Sequence, residues 1–187
     1  MKETRKRCLQ LLSGGIDSTA LLHYYISLGF EVVPVFVDYG QAGTKMEEKC
    51  ARAVTQKYAV KLEVYHFEPN TVFYQGEIIG RNAFLILLVL LTHPGYRGII
   101  ALGIHSGVQY YDCSPAFLAD MNKIVAEYTD GEALIDAPFL RWNKQMIFQY
   151  CRENNVPLDI TYSCENGTVP PCGKCNSCLD RVEMDVG

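Results

Sequence analysis

The stretch Leu11-Leu12-Ser13-Gly14-Gly15-Ile16-Asp17-Ser18-Thr19 constrains this chain most. An apolar run breaks at a glycine pair and restarts as a helix, which predicts a buried strand, a tight turn and a helix N-terminus in that order. The glycines let the main chain take positive φ and approach a ligand, and Ser18 and Thr19 are placed to cap the helix. Its first amides, its dipole and the hydroxyls of Ser13 and Ser18 then all favour an anion, so the loop reads as a phosphate cradle. The spacing is neither that of a Walker loop nor that of a three-glycine dinucleotide fingerprint. Small residues joining a strand to a helix are also common as plain connections, and that reading stands beside the cradle.

Around this loop the chain alternates short apolar runs with amphipathic ones. Strands are predicted over 7–12, 31–37, 61–67, 99–104 and 134–136, and helices over 18–28, 44–58, 81–92, 115–128 and 143–154. Pro34 inside the second strand suggests a bulge or an irregular hydrogen-bond position. Lys45, Glu47, Glu48 and Lys49 read as the solvated face of the second helix. The pattern is that of an α/β fold, an open parallel five-stranded sheet with helices on both faces, over residues 1–160, followed by a small C-terminal metal-binding tail over 161–187.

In such a sheet ligands sit at the carboxyl ends of the strands. Asp38-Tyr39-Gly40-Gln41 falls there, either as a plain turn made by Asp38 and Gly40 or as a ligand contact. Arg81-Asn82 opens a very apolar helix; either Arg81 snorkels to water and Asn82 caps, or both face a ligand. His105, Asp112 and Cys113 follow the fourth strand on the same edge. The segment 68–80 holds no period and is long enough to be functional. Lys144 in the first turn of its helix opposes the helix dipole, a cost that an anionic ligand would offset.

Lys and Arg number 17 against 21 Asp and Glu, and the net charge of -4 argues against a broad nucleic-acid surface. The start Met1-Lys2-Glu3-Thr4-Arg5-Lys6-Arg7 is charged and carries no secretory pattern, so a cytoplasmic protein is expected. The longest apolar run, 83–91, is far short of the roughly 20 residues that cross a bilayer, and reads as a buried helix. Four of the eight cysteines crowd into Cys164, Cys172, Cys175 and Cys178. Two C-x-x-C gaps with Pro170, Pro171 and Gly173 at the turn suit one tetrahedral zinc in a closed, structural site. An iron–sulfur cluster and a redox pair are the rival readings. Cys8, Cys50, Cys113 and Cys151 are expected to be small buried apolar residues, with Cys113 the one nearest the ligand edge.

Taken together, the chain resembles the 7-cyano-7-deazaguanine synthases of queuosine biosynthesis, members of the pyrophosphatase-loop (PP-loop) superfamily, whose domain is adenine nucleotide alpha hydrolase-like. The likeness rests on Ser13-Gly14-Gly15-Ile16-Asp17-Ser18, Asp38-Tyr39-Gly40-Gln41, Gly80-Arg81-Asn82, Asp112-Cys113-x-Pro115, Lys144, Ser163-Cys164 and Cys172-Gly173-x-Cys175-x-Ser177-Cys178. It implies a carbon–nitrogen ligase that adenylates 7-carboxy-7-deazaguanine with ATP and Mg2+, admits ammonia to form an amide, and reaches the nitrile by a second activation. On this likeness Leu12, Ser13, Gly14, Gly15, Asp17, Ser18, Thr19 and the tract Asp38-Tyr39-Gly40-Gln41 hold the nucleotide. Asp17, Ser18, Lys144 and Arg81 serve the chemistry, with Asp17 as the magnesium partner. Arg81, Asn82, His105, Asp112 and Cys113 receive the acid, the four tail cysteines hold Zn2+, and the enzyme is a homodimer. Two places depart from the family: Gly43 replaces a usual histidine, and 103–113 is shorter, with Asp112 its only acid. The departures leave open a related enzyme that passes the activated acid to another amine, on a protein in antiviral defence. A zinc-ribbon nucleotide-binding module without turnover is the reading from another class.

Overall fold

Five parallel strands, β1 (Arg7–Leu11), β2 (Glu31–Asp38), β3 (Glu63–His66), β4 (Gly98–Ala101) and β5 (Ala133–Asp136), form one sheet in the order β3-β2-β1-β4-β5. The helices are α1 (Ile16–Ser27), α2 (Thr44–Lys57), α3 (Arg81–Thr92), α4 (Pro115–Thr129), α5 (Lys144–Glu153) and α6 (Asn176–Glu183). The computed structural model describes residues 6–184 apart from 75 and 108. Most of the charged N-terminal segment, residues 1–5, and the last three residues of the tail, 185–187, therefore lie outside the described residues.

Side chains alternate across a strand, and here both faces are buried, which is why the strands read as near-continuous apolar runs. Cys8, Leu12, Val32 and Phe36 pack against α1, α2 and α5 on one face. Leu9, Val35, Ile100 and Ile135 pack against α3 and α4 on the other. The expected doubly covered sheet is what forms. Pro34 needs no bulge. The Val35 carbonyl accepts from the Leu12 N–H at 2.9 Å, so the polar groups of the preceding residue point the opposite way, where β3 has not yet begun to pair. The missing donor of Pro34 is thus lost from an open edge.

The chain winds outward from β1 to β3, then crosses over to place β4 on the other side of β1. This reversal opens a crevice between the carboxyl ends of β1 and β4, the position where open α/β sheets hold ligands. Three local expectations are corrected. β4 ends at Ala101 rather than 104; Leu102 and Ile104 stay buried but leave the sheet toward the crevice. α3 buries only one side: Ile86 and Val89 are enclosed, whereas Leu91 is 77% exposed. α1 starts at Ile16 with Gly15 as its cap residue, so Ser18 and Thr19 lie inside the first turn and do not cap it. Caps of the expected kind occur at α4, where Ser114 accepts from Phe117 N, and at α5, where Asn143 accepts from Met146 N.

Candidate active site

The loop after β1 is held by its own hydroxyls. Ser18 Oγ donates to the Gly15 carbonyl at 3.0 Å and accepts from Ser13 N at 3.2 Å, and Ser13 Oγ accepts from Gly15 N at 3.3 Å. Thr19 Oγ1 also donates to the Gly15 carbonyl, at 2.8 Å, from a fully buried position. Hydroxyls expected to cap the helix instead stiffen the loop that precedes it. Gly14 takes φ +77°, and a Cβ there would come within 2.4 Å of the Glu47 carbonyl and 2.8 Å of Ala51 N. The glycine is therefore required by the packing of α2 on the loop. Gly14→Ala should cost about 2–4 kcal/mol, from left-handed strain and overpacking together. A thermal melt checks this, and an unchanged Tm would contradict it.

Over the loop stands a charged cluster drawn from three elements. Lys144 Nζ donates to Asp17 Oδ2 at 2.6 Å and lies 3.8 Å from Asp180 Oδ2. The cation in the first turn of α5 thus finds its compensating anions within the protein. His105 Nδ1 accepts from Gly107 N at 3.0 Å, which leaves the ring proton on Nε2, 3.8 Å from Asp17 Oδ2. Burial lowers the His105 pKa, with Asp17 opposing, so the neutral ring is favoured. Asp17 Oδ1 is buried and has no hydrogen-bond partner among the described residues. A buried carboxylate oxygen left in this state fits a metal ion or a ligand donor.

These residues line a cleft of about 770 Å³, with Ser13, Gly15, Ser18, Tyr39, Gln41, Arg81, Asn82 and Cys113 also on its wall. That volume is in the range of nucleotide-sized sites. Gly14, Thr19, Asp38, Gly40 and Asp112 sit behind the wall. Asp38 Oδ1 accepts from Gly40 N at 3.0 Å and Thr44 Oγ1 at 3.1 Å, so it builds the turn that presents Tyr39 and Gln41. Asp112 is turned to α3: its Oδ2 accepts from Asn82 N at 3.3 Å and its carbonyl from Asn82 Nδ2 at 3.0 Å. Asn82, which read as a cap or a ligand contact, is capped by Asp112 from across the fold. Burial, with the adjacent Asp112, pushes the Cys113 thiol up to about 11, so it is no thiolate.

The solvated face expected of α2 does not include Glu47. Placed among the solvated charges of α2, it is in fact half-buried on the cleft wall, while Lys45 and Lys49 are exposed as expected and Glu48 pairs with Arg52. Burial raises its pKa against the pull of Gln41 and Arg81. The only available signal was its position in the first turn of α2, following the turn at 38–41.

The tail closes the cleft from one side. Tyr162 N donates to the Gly14 carbonyl at 3.1 Å, which ties the tail to the loop. The sulfurs of Cys164, Cys172, Cys175 and Cys178 all lie within 4.8 Å of one another, and none is in a disulfide. Burial opposes ionisation at Cys164, but hydrogen bonds from the main chain of Cys172 and from Thr168 prevail and hold its pKa down at about 5. Four thiols converging in this way fit one tetrahedral metal ion. α6, not expected from the sequence, starts from Cys175 as its cap residue and contains Cys178. It carries Asn176, Ser177 and Asp180 to the cleft wall. Cys8, Cys113 and Cys151 are buried as expected, and Cys50 packs half-buried against the cysteine cluster.

A stiffened glycine loop and an acid–lysine pair stand at the switch point of a parallel sheet, and the fold is that of the PP-loop class. Solved structures with this fold include the NMN synthetase of Francisella tularensis, at TM-score 0.58 and 16% identity over 98% of this chain and 73% of that one. The U34-tRNA thiolase NcsA of Methanococcus maripaludis follows at 0.51 and 13%, over 97% of this chain and 65% of its own length.

The chain belongs to the QueC family: the family model described as "Queuosine biosynthesis protein QueC" matches residues 7–84 and 70–184. It is 30% identical to the 7-cyano-7-deazaguanine synthase of Desulfitobacterium hafniense, over 95% of this chain and 88% of that protein. The synthase of the same name from Methanoculleus marisnigri is 30% identical, over 95% and 93%.

Proposed function

We propose that this chain is an ATP-dependent ligase that converts 7-carboxy-7-deazaguanine to 7-cyano-7-deazaguanine with ammonia. The observation that carries the adenylating part is the Asp17–Lys144 pair over the Ser13–Ser18 loop, with Asp17 Oδ1 buried and unsatisfied. The substrate comes from the names of the relatives, which support nitrile formation over transfer to a protein amine and over a module without turnover.

A carboxylate is a poor electrophile until it receives a good leaving group. Its oxygen attacks the α-phosphorus of ATP, the bond to pyrophosphate breaks, and an acyl adenylate results. The loop amides with the Ser13 and Ser18 hydroxyls hold the departing pyrophosphate, and Lys144 and Arg81 neutralise charge growing on phosphate oxygens. Ammonia attacks the acyl carbon and AMP leaves, giving the amide. The amide oxygen then attacks the α-phosphorus of a second ATP, releasing a second pyrophosphate and a proton, and loss of AMP with the remaining N–H proton gives the nitrile. Asp17 is the residue that would hold a magnesium ion, which would supply further neutralisation of phosphate charge. Cys164, Cys172, Cys175 and Cys178 would hold zinc, which would supply folding stability to the tail. In this reading residues 1–160 form the nucleotide domain and 161–187 a metal-held tail that completes its cleft.

No helix among the described residues is long and apolar enough to cross a membrane, and a cytoplasmic location goes with the proposed biosynthetic chemistry. The homodimer is carried in the same proposal; sedimentation showing only a 21.1 kDa species would remove it. Adenylation itself is tested by following nucleotide products. Pyrophosphate and AMP should appear only when the acid is present, whereas release of ADP and phosphate would contradict the reading.

A further inference from the structure

Several carboxylates at or just behind the cleft wall have partners within the protein. Asp17 is held by Lys144 at 2.6 Å, Asp180 lies 3.8 Å from the same ammonium, and Glu165 Oε1 accepts from Ser177 N at 3.1 Å and Ser177 Oγ at 2.7 Å. Asp112 is turned to α3. Glu47 is placed differently. Gln41 Nε2 donates to its Oε2 at 3.0 Å, and Gln41 is itself fixed, accepting from Tyr39 N at 2.9 Å and donating to the Val37 carbonyl at 3.2 Å. A Cβ on Gly43 would stand 2.8 Å from Glu47 Oε1, so the bare glycine leaves that oxygen its room.

The same cleft carries two aromatic rings, inclined to each other at 49°. The rings of Tyr39 and Phe73 stand 6.2 Å apart, both on the cleft. Phe73 is fastened by two main-chain bonds, its N–H to the Gly40 carbonyl at 2.9 Å and its carbonyl from Ala42 N at 2.8 Å. The cleft therefore offers aromatic faces and, from the neighbouring turn and helix, an oriented acceptor. A nucleobase bound by a protein is commonly read this way, by stacking on its face and hydrogen bonds to its pairing edge.

The edge matters. A 2-amino-4-oxopyrimidine ring presents its ring N–H and its exocyclic amine side by side, two donors that a carboxylate accepts in parallel. Adenine presents an acceptor nitrogen beside its amine, and would set a lone pair against the anion. We propose that Glu47 determines the specificity for the acid substrate, accepting the ring N–H and the 2-amino group while the bicycle stacks on one of the Tyr39 and Phe73 rings. This deepens the reading above and rests on it.

The test compares wild type with Glu47→Gln, which keeps the shape but replaces one acceptor oxygen by a donor. The KM for 7-carboxy-7-deazaguanine should rise about 10–100-fold, while the KM for ATP moves by less than about twofold. An analogue of the acid without its exocyclic amine should be turned over by wild type with kcat/KM about tenfold lower, and the variant should lose that discrimination. A variant that fails to fold leaves the analogue comparison on wild type to decide, and equal use of both acids by wild type overturns the proposal. An active wild type with an unchanged acid KM in the variant overturns this assignment alone. A wild type inert toward the acid overturns the function and this inference together.

Discussion

Asp17→Asn should lower kcat/KM for acid-dependent pyrophosphate release by about 10²–10³-fold, in the range of removing one principal charge-stabilising group. The substitution is nearly isosteric, so α1 and the loop should persist. It removes the anion that lies 2.6 Å from Lys144, and puts an amide where a buried, unpartnered carboxylate oxygen stood. Among the described residues Lys144 would keep Asp180 alone, at 3.8 Å, and would be free to reorient. Two measurements belong together: pyrophosphate release, and a thermal melt showing that the fold survives. A folded variant with activity within about tenfold of wild type would remove Asp17 from the reaction.

The second large effect concerns the tail. Cys175→Ser should abolish stoichiometric metal binding, lower the Tm by about 10 °C, and eliminate turnover, although no cysteine is given a part in the chemistry. The reason is connectivity: α6 starts at Cys175 and delivers Asp180 to Lys144 and Ser177 to Glu165. The same segment binds the loop through Tyr162 N and the Gly14 carbonyl. Losing the metal would therefore open one wall of the cleft. Elemental analysis of the purified protein should find about one zinc per chain, since four thiolates close one tetrahedral site. Iron with inorganic sulfide would replace zinc by a cluster. A metal-free variant with unaltered stability and turnover would show that the tail does not support the site.

Much of this arrangement is legible in the sequence, because it is local. The paired glycines, the alternation of apolar runs and the C-x-x-C spacing each report on a few neighbouring residues, and each led to the right element. Lys144 is an intermediate case: its unfavourable position in its helix suggests an anionic ligand, and the structure supplies the protein's own Asp17 and Asp180 instead. What stayed hidden depends on how elements turn against one another. Glu47 sits amid charges that do face water, and only the rotation of α2 over the loop brings it inward. Asp112 reads as a substrate acid until the end of α3 is seen to need its oxygen for Asn82 N. α6 has too short an apolar pattern to announce itself, and the return of the tail across the cleft has no local signal at all.

Incubation with ATP, Mg2+, 15N-ammonia and 7-carboxy-7-deazaguanine, with the products read by mass spectrometry, decides whether the cleft turns a deazaguanine carboxylate into a nitrile. The expected product is 7-cyano-7-deazaguanine carrying one 15N, preceded by the labelled amide. An acid recovered unchanged, or found only as an adduct on an added amine, would rule nitrile formation out.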